Sequence, residues 1–313
     1  MGADRADWLE ADRLNEQGSE HAGVGDWDAA LSLYRQAAGL VPAHAPAWFN
    51  MGLIYKRRLQ WDQVMGCHEH AAALGAAEGN PAWWNPGIAA TAVRRWDAAR
   101  NAWRRFGIQV PEGRGELQMD LGPAPVRLDP DGLCEVVWGR AVDPARIVVM
   151  NVPTPQSGHR GGDVVLHDGA PNGERRAWGQ VYGVFDELER WQPSAIPALE
   201  VPVTLADETD AHALADLFDQ AGYAAQDWTT SIRLLCKQCS ERQPPEDHEH
   251  PVPPFAAERR FGLAAPLDLA TRLLGEWAAA RPGTCQHGDP VIVGQGTGVA
   301  VRQPGIRREA AQR

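Results

Sequence analysis

Three segments of this chain can be laid under one another at a spacing of 34 residues, and the same classes of side chain then fall in register. They run over 11–44, 45–78 and, after one inserted residue (Gly79), 80–113. A glycine recurs as Gly18, Gly52 and Gly87. A tryptophan recurs as Trp27, Trp61 and Trp96, each followed by Asp28, Asp62 or Asp97. Behind each come Ala30, Val64 and Ala99, then a ring at Tyr34, His68 and Trp103, then Ala37, Ala71 and Phe106. This is the pattern of paired helices. A small residue is needed where two helices cross closely, so the glycines are expected to face Ala30, Val64 and Ala99, while large residues at 3–4 spacing fill the space beside the crossing. One pair cannot bury its apolar face alone, so neighbouring pairs stack into a solenoid.

The register resembles the tetratricopeptide repeat family, in its W-x2-L-G-x2-Y … A-x3-F … P pattern. The second segment carries it best, as Trp48-Phe49-Asn50-Met51-Gly52-Leu53-Ile54-Tyr55. The first departs at Gln17 and His21, the third at Pro86 and Ala90; Pro42 and Pro111 close the first and third copies, and Ala76 stands there in the second. The resemblance implies a concave face lined by each first helix: Asn15 and Ser19, then Phe49, Asn50, Leu53, Lys56 and Arg57, then Trp84, Ile88 and Thr91. Such a groove would have an apolar floor (Phe49, Leu53, Trp84, Ile88) and a basic rim (Lys56, Arg57), suited to an extended or helical peptide with apolar anchors and an acidic group. Trp84 and Phe49 could instead pack against the C-terminal domain. One subclass of the family grips a chaperone's C-terminal carboxylate with Lys, Asn and Arg. Here Asn50 matches one position, but Asn15, Ser19, Pro81 and Asn85 stand at the others, so that clamp is mostly missing.

Charge and composition narrow the classes further. The formal net charge of −11 argues against nonspecific nucleic-acid binding. Of 30 basic residues only Lys56 and Lys237 are lysine, a skew that fits a GC-rich, bacterial coding sequence. The start, with Asp4 and Asp7 and no apolar run, does not read as a signal peptide, and no stretch of about 20 apolar residues reads as a membrane span. Five cysteines, an odd count, do not suggest a disulfide framework. A soluble, cytoplasmic protein is the expectation.

Helical periodicity stops after the third copy. Residues 1–113 are read as the repeat domain, 114–132 as a Pro/Gly-rich linker, 133–302 as a mixed α/β (α+β) domain and 303–313 as a polar tail. Strands are expected at 134–138, 146–150, 163–166 and 177–184, forming a sheet or small barrel. Pro171-Asn172-Gly173 supplies turn chemistry between the last two. A βαβ unit is expected from strand 199–204, with Pro202 marking an edge, through helix 210–221 to a returning strand at 231–235. A last helix over 267–280 precedes a hairpin of 291–293 and 299–301.

Two constellations in this half could carry chemistry. Cys236, Cys239, His248 and His250 have the spacing C-x2-C-x8-H-x-H, which suits a tetrahedral, structural zinc site; Cys285 and His287 repeat the i, i+2 geometry. The same cysteines also read as ordinary thiols at a strand end, or as a redox pair. His159, Asp163, His167 and Asp168 would be the first suspects for catalysis, although a Gly-rich turn with nearby His and Asp is common in hairpins. Gly294 to Gly298 precedes no helix and lacks the context of a phosphate loop.

These readings lead to a non-enzymatic scaffold that binds a protein or peptide through the helical groove, with no nucleic-acid or membrane partner and at most a structural zinc. The alternatives are an enzyme whose C-terminal domain is docked by the repeats, and an inhibitory partner that neutralises another protein.

Overall fold

A computed structural model describes residues 3–75, 81–229 and 255–294. The chain divides into two compact units between Met119 and Asp120.

The N-terminal unit is an array of three helix pairs. Helices α1 (Arg5–Gly23) and α2 (Trp27–Leu40) form the first pair, α3 (Ala45–Arg57) and α4 (Trp61–Leu74) the second, and α5 (Trp84–Ala92) and α6 (Trp96–Phe106) the third. Their ends follow local chemistry. Asp4 and Asp7 make a reciprocal capping box on α1, with Asp4 accepting from Ala6 N at 2.8 Å and Asp7 accepting from Asp4 N at 2.9 Å. Asp26 caps α2, and His44 caps α3 through Nδ1, which accepts from Ala47 N at 3.1 Å. Pro86 is tolerated in the first turn of α5, where backbone N–H groups have no intrahelical acceptor. A residue at positive φ stands in the middle of each intra-pair turn: Gly25 (81°), Leu59 (55°) and Arg94 (60°).

The repeat glycines meet a different partner from the one expected. Ala30, Val64 and Ala99 are fully buried, but the atoms over the glycines belong to the ring four residues further on. A Cβ on Gly18 would lie 2.5 Å from the Tyr34 ring, and one on Gly87 2.6 Å from the Trp103 ring; His68 lies over Gly52 in the same way. The glycine makes room for an aromatic side chain, not for helix backbone. The Trp-Asp turns of the first two repeats also have partners: Arg58 pairs with Asp28 at 2.7 Å, and Arg95 with Asp62 at 3.1 Å, so these two aspartates are each tied to the next repeat's turn.

The C-terminal unit opens with a closed five-stranded barrel. Strands β1 (Pro123–Leu128), β2 (Glu135–Asp143), β3 (Arg146–Val149), β4 (Val164–Ala177) and β5 (Gln180–Gln192) run as an antiparallel meander, and β1 closes on β5 in parallel through Val126↔Phe185 and Arg127↔Asp186. Val126, Leu128, Ile147, Val149 and Val165 fill it. The hairpin between β4 and β5 does not turn at Pro171-Asn172-Gly173. Those residues sit in an irregular stretch of β4 with shifted register, and the chain reverses at Trp178 (φ 50°) and Gly179 (φ 73°). Pairing continues beyond the bulge because Glu174 to Ala177 find partners in Gln180 to Gly183.

A second sheet follows, ordered β10 (Val291–Val293), β6 (Ala198–Thr204), β8 (Glu258–Ala264), β7 (Ala224–Asp227), with β9 (Gln286–His287) also on β6. Helices α7 (Glu208–Gln220) and α8 (Leu267–Ala279) cover one face, where Leu199, Val201, Leu214, Phe218, Phe261, Leu274 and Trp277 make the core. The strand returning from α7 is β7, earlier than the expected 231–235, which lies outside the described residues. It is parallel to β6 with β8 between them, since both pair antiparallel with β8. Pro202 is not on an edge. Its carbonyl accepts from Gly288 N at 2.9 Å, so its missing N–H faces the same side, into the gap between β9 and β10. β10 pairs with β6; the expected partner at 299–301 and the tail at 303–313 lie outside the described residues. Trp228, whose Nε1 donates to Val152 O at 2.9 Å, packs between the barrel's loop and this sheet.

Candidate functional site: the first-helix face of the repeats

Helices α1, α3 and α5 present equivalent positions along one face. Ser19 is exposed, Leu53 is 41% exposed, and Ile88, next in the series, has no exposed area. The open part of the face therefore belongs to the first two repeats. There Asn50 Nδ2 donates to Asn15 Oδ1 at 3.0 Å, linking α3 to α1, and both amides are half-buried. Ser19 Oγ donates to Asn15 O at 3.1 Å and lies 3.2 Å from the Tyr34 hydroxyl.

The third repeat is closed. Lys56, expected on a basic rim, is 8% exposed and its Nζ donates to Asn85 Oδ1 at 2.9 Å. Burying an ammonium is tolerable because the amide oxygen accepts from it. Arg57 leaves this face altogether: its guanidinium stacks 4.5 Å from the Trp27 ring, in a cleft of about 230 Å³ formed with Asp26, Asp28 and Arg58 at the turns. The expected rim is thus divided between an internal hydrogen bond to a carboxamide and a cation–π contact.

The aromatic floor is partly committed too. Phe49 meets His68 edge-to-face at 4.9 Å, and Trp84 meets Trp103 and Phe106 at 5.0 and 4.9 Å, inside its own helix pair. Asn50 and Asn85 were legible only as uncharged residues at clamp positions; the Lys56–Asn85 hydrogen bond between repeats left no signal in sequence. His68 is fully buried, and neither ring nitrogen has a partner in hydrogen-bond geometry. Burial first, then the neighbouring Lys56 charge, lowers its pKa to about 3.

In the C-terminal unit, two of the four candidate catalytic residues come together. His159 Nδ1 is 3.4 Å from Asp163 Oδ2, and its Nε2 is 3.1 Å from Glu187 Oε2, a residue the spacing did not suggest. Burial opposes charge on the imidazole, but the two carboxylates outweigh it and raise its pKa to about 9. The carboxylates also hold backbone: Asp163 accepts from Ser194 N at 2.7 Å and Arg160 N at 3.0 Å, and Glu187 from Asp129 N at 2.9 Å. His167 turns elsewhere, its ring 4.7 Å from Phe185 and its Nδ1 accepting from Gly169 N at 3.1 Å; Asp168 is half-buried. Cys236, Cys239, His248 and His250 lie outside the described residues; among those described, no cluster of His, Cys, Asp and Glu has a metal-binding arrangement. No described helix is long and apolar enough to cross a membrane.

Two solved structures are similar to the N-terminal third. One is the first TPR of Spaghetti (RPAP3) bound to HSP90 peptide SRMEEVD, at 21% identity and a TM-score of 0.30, covering 32% of this chain and 78% of that one. The other is the Arabidopsis OM64 TPR domain, at 18% identity and a TM-score of 0.29, covering 32% of this chain and 82% of that one. No protein-family model matches the chain, and no curated protein matches it.

Proposed function

We propose that this chain is a non-catalytic binding protein whose repeat unit takes a peptide or protein segment along the first-helix face of repeats one and two. The observation that carries the reading is the open strip made by Asn15, Ser19, Asn50 and Leu53. Carboxamides can donate to and accept from an extended main chain, and an exposed leucine beside them offers an apolar contact. The acidic balance of the chain supports a protein partner over nucleic acid. His159, clasped as a cation between two carboxylates that also hold backbone, supports a structural role over that of a free base. A cytoplasmic setting belongs to the same reading, on the odd count of five cysteines in the sequence. A structural zinc on Cys236, Cys239, His248 and His250 belongs to the same proposal on spacing alone. Elemental analysis beside a Cys236→Ser/Cys239→Ser variant tests it, with about one zinc per chain expected and lost in the variant.

The binding strip is tested by placing a photo-crosslinking residue at Ser19, at Leu53 and, on the outer helix α4, at exposed Glu69. The same discrete adduct from Ser19 and Leu53, absent from Glu69, is expected in the cell of origin. Equal labelling from all three positions would end the proposal.

A further inference from the structure

The first-helix face of the repeats carries the opposite charge from the one its sequence suggests. Lys56 and Arg57, the cations expected along it, are engaged with Asn85 and Trp27, and α3 has no exposed base. The acids of α1 remain. Asp12, Glu16 and Glu20 are exposed at a spacing of four, so they lie above one another on the helix. Glu16 and Glu20 directly follow Asn15 and Ser19 in the chain and edge the open strip. Their neighbours are already matched: Glu10 pairs with Arg13, Asp12 with His44, and His21 turns to Asp26. Glu16 and Glu20 pair with no base among the described residues. A ligand complementary to this strip is therefore basic, with an apolar side chain for the exposed Leu53.

The chain contains such a segment. Residues 302–313 hold Arg302, Arg307, Arg308 and Arg313 against the single acid Glu309, and Ile306 adjoins the Arg307–Arg308 pair. The other long stretch outside the described residues, 230–254, is no match, because Arg233, Lys237 and Arg242 are offset by Glu241, Glu246, Asp247 and Glu249. A guanidinium donates in a fork that fits a carboxylate. Two exposed pairs of this kind are individually weak. A covalent tether changes the outcome, since it holds the segment at an effective concentration of about millimolar. The stretch from Gly294 to Arg307 spans up to roughly 45 Å when extended, which gives the tether a long reach.

We propose that residues 302–313 occupy the first-helix strip of repeats one and two, with Arg307 and Arg308 on Glu16 and Glu20 and Ile306 against Leu53, and that an external segment must displace them to bind. The proposal rests on the strip being a binding surface and assigns its regulation: the chain shields its own site. It also replaces the acidic ligand expected from Lys56 and Arg57 with a basic one.

The test uses the purified full chain with a photo-crosslinking residue at Ser19 or at Leu53, irradiated without any partner and mapped by mass spectrometry after digestion. Crosslinks from both positions into residues 302–313, at the mass of a single chain, are expected. Arg307→Glu/Arg308→Glu should reduce them about tenfold, as should Glu16→Lys/Glu20→Lys, and combining the two pairs should restore them. Raising salt to about 0.5 M should weaken them in the wild type. Absence of links into 302–313, links that ignore both reversals, links into 230–254 instead, or links only between two chains would each overturn the proposal. Crosslinking in cells separates it from the binding reading. The partner adduct should increase in Arg307→Glu/Arg308→Glu. A partner adduct without any tail link removes only the shielding, whereas a tail link with no partner adduct, even in that variant, removes only the external partner.

Discussion

The imidazole of His68 lies directly over Gly52, leaning towards that residue's backbone with neither ring nitrogen hydrogen-bonded in good geometry. Tyr34 and Trp103 fill the equivalent space in the other repeats, so the second repeat alone places an imidazole there. Its folded-state pKa of about 3 lies below the ordinary histidine value. Above about pH 6.5 the ring is neutral in both states and costs nothing through protonation. As pH falls from there towards 3, the unfolded chain takes up a proton that the folded chain refuses, and stability drops by up to about 1.4 kcal/mol per pH unit. His68→Phe should remove that component and, by deleting two unpaired nitrogens, add about 1 kcal/mol at neutral pH. Urea melts of both proteins at pH 7 and pH 4.5 check it. A gap between them that does not widen on acidification would contradict the assignment.

Two glycine-to-alanine substitutions in this unit should have opposite signs. At Gly87 a methyl would meet the fully buried Trp103 ring, which has nowhere to go, so a loss of about 1–3 kcal/mol is expected. At Gly66, exposed on α4 with nothing within 4 Å, the same change meets open space and should gain about 0.5–1 kcal/mol through helix propensity. Chemical denaturation of the two variants gives the answer, and destabilisation by both would show that the ring contact is not what sets the glycine.

The strained turns can be read the same way. Gly25, Leu59 and Arg94 occupy one position in successive repeats, all with positive φ. Leu59→Gly should gain up to about 1 kcal/mol by relieving the left-handed penalty, less whatever its half-buried side chain contributes. Thermal melts of Leu59→Gly and Leu59→Ala separate the two effects: the alanine keeps the strain and loses the packing, so it should melt lower than wild type.

The repeat register was legible because close-packed helices leave a periodic mark: a small residue, a ring and a turn at fixed phase. What covers Gly52 was not, since Val64 and His68 both lie on the facing helix and only the fold separates them. The groove was half legible. Residue types named Asn15, Asn50 and Leu53, but Lys56 looks the same in sequence whether it faces water or bonds to Asn85, and Arg57 falls one position further round the helix, towards Trp27. In the second unit, short β-branched runs gave away the strands, while the hairpin reversal was hidden because Trp178-Gly179 carries weaker turn chemistry than Asn172-Gly173. The short β7, with every residue half-buried, offered no alternation to read. Glu187 escaped notice because a buried acid in a strand leaves no periodic mark until its partner, His159, is seen beside it.

That pair sets the alkaline limit of the second unit. With Asp163 and Glu187 on either side, His159 has a pKa of about 9, above its ordinary value near 6.5. A raised folded-state pKa means that the stabilisation is fully present below about pH 6.5 and is lost as pH rises through 9. Over that window the unfolded chain has released its proton and the folded chain must follow. The loss is at most about 3 kcal/mol, the free-energy equivalent of the shift. His159→Gln, which can still donate to one carboxylate but carries no charge, should be less stable than wild type at pH 6 and should converge with it by pH 10. Thermal unfolding across pH 6–10 checks this. Because His68 acts only on the acid side, a wild-type profile that falls at high pH while the variant's stays level identifies His159 as the source. Parallel profiles would instead mean that the imidazole is neutral in the folded protein and that the two carboxylates are held by their backbone donors alone.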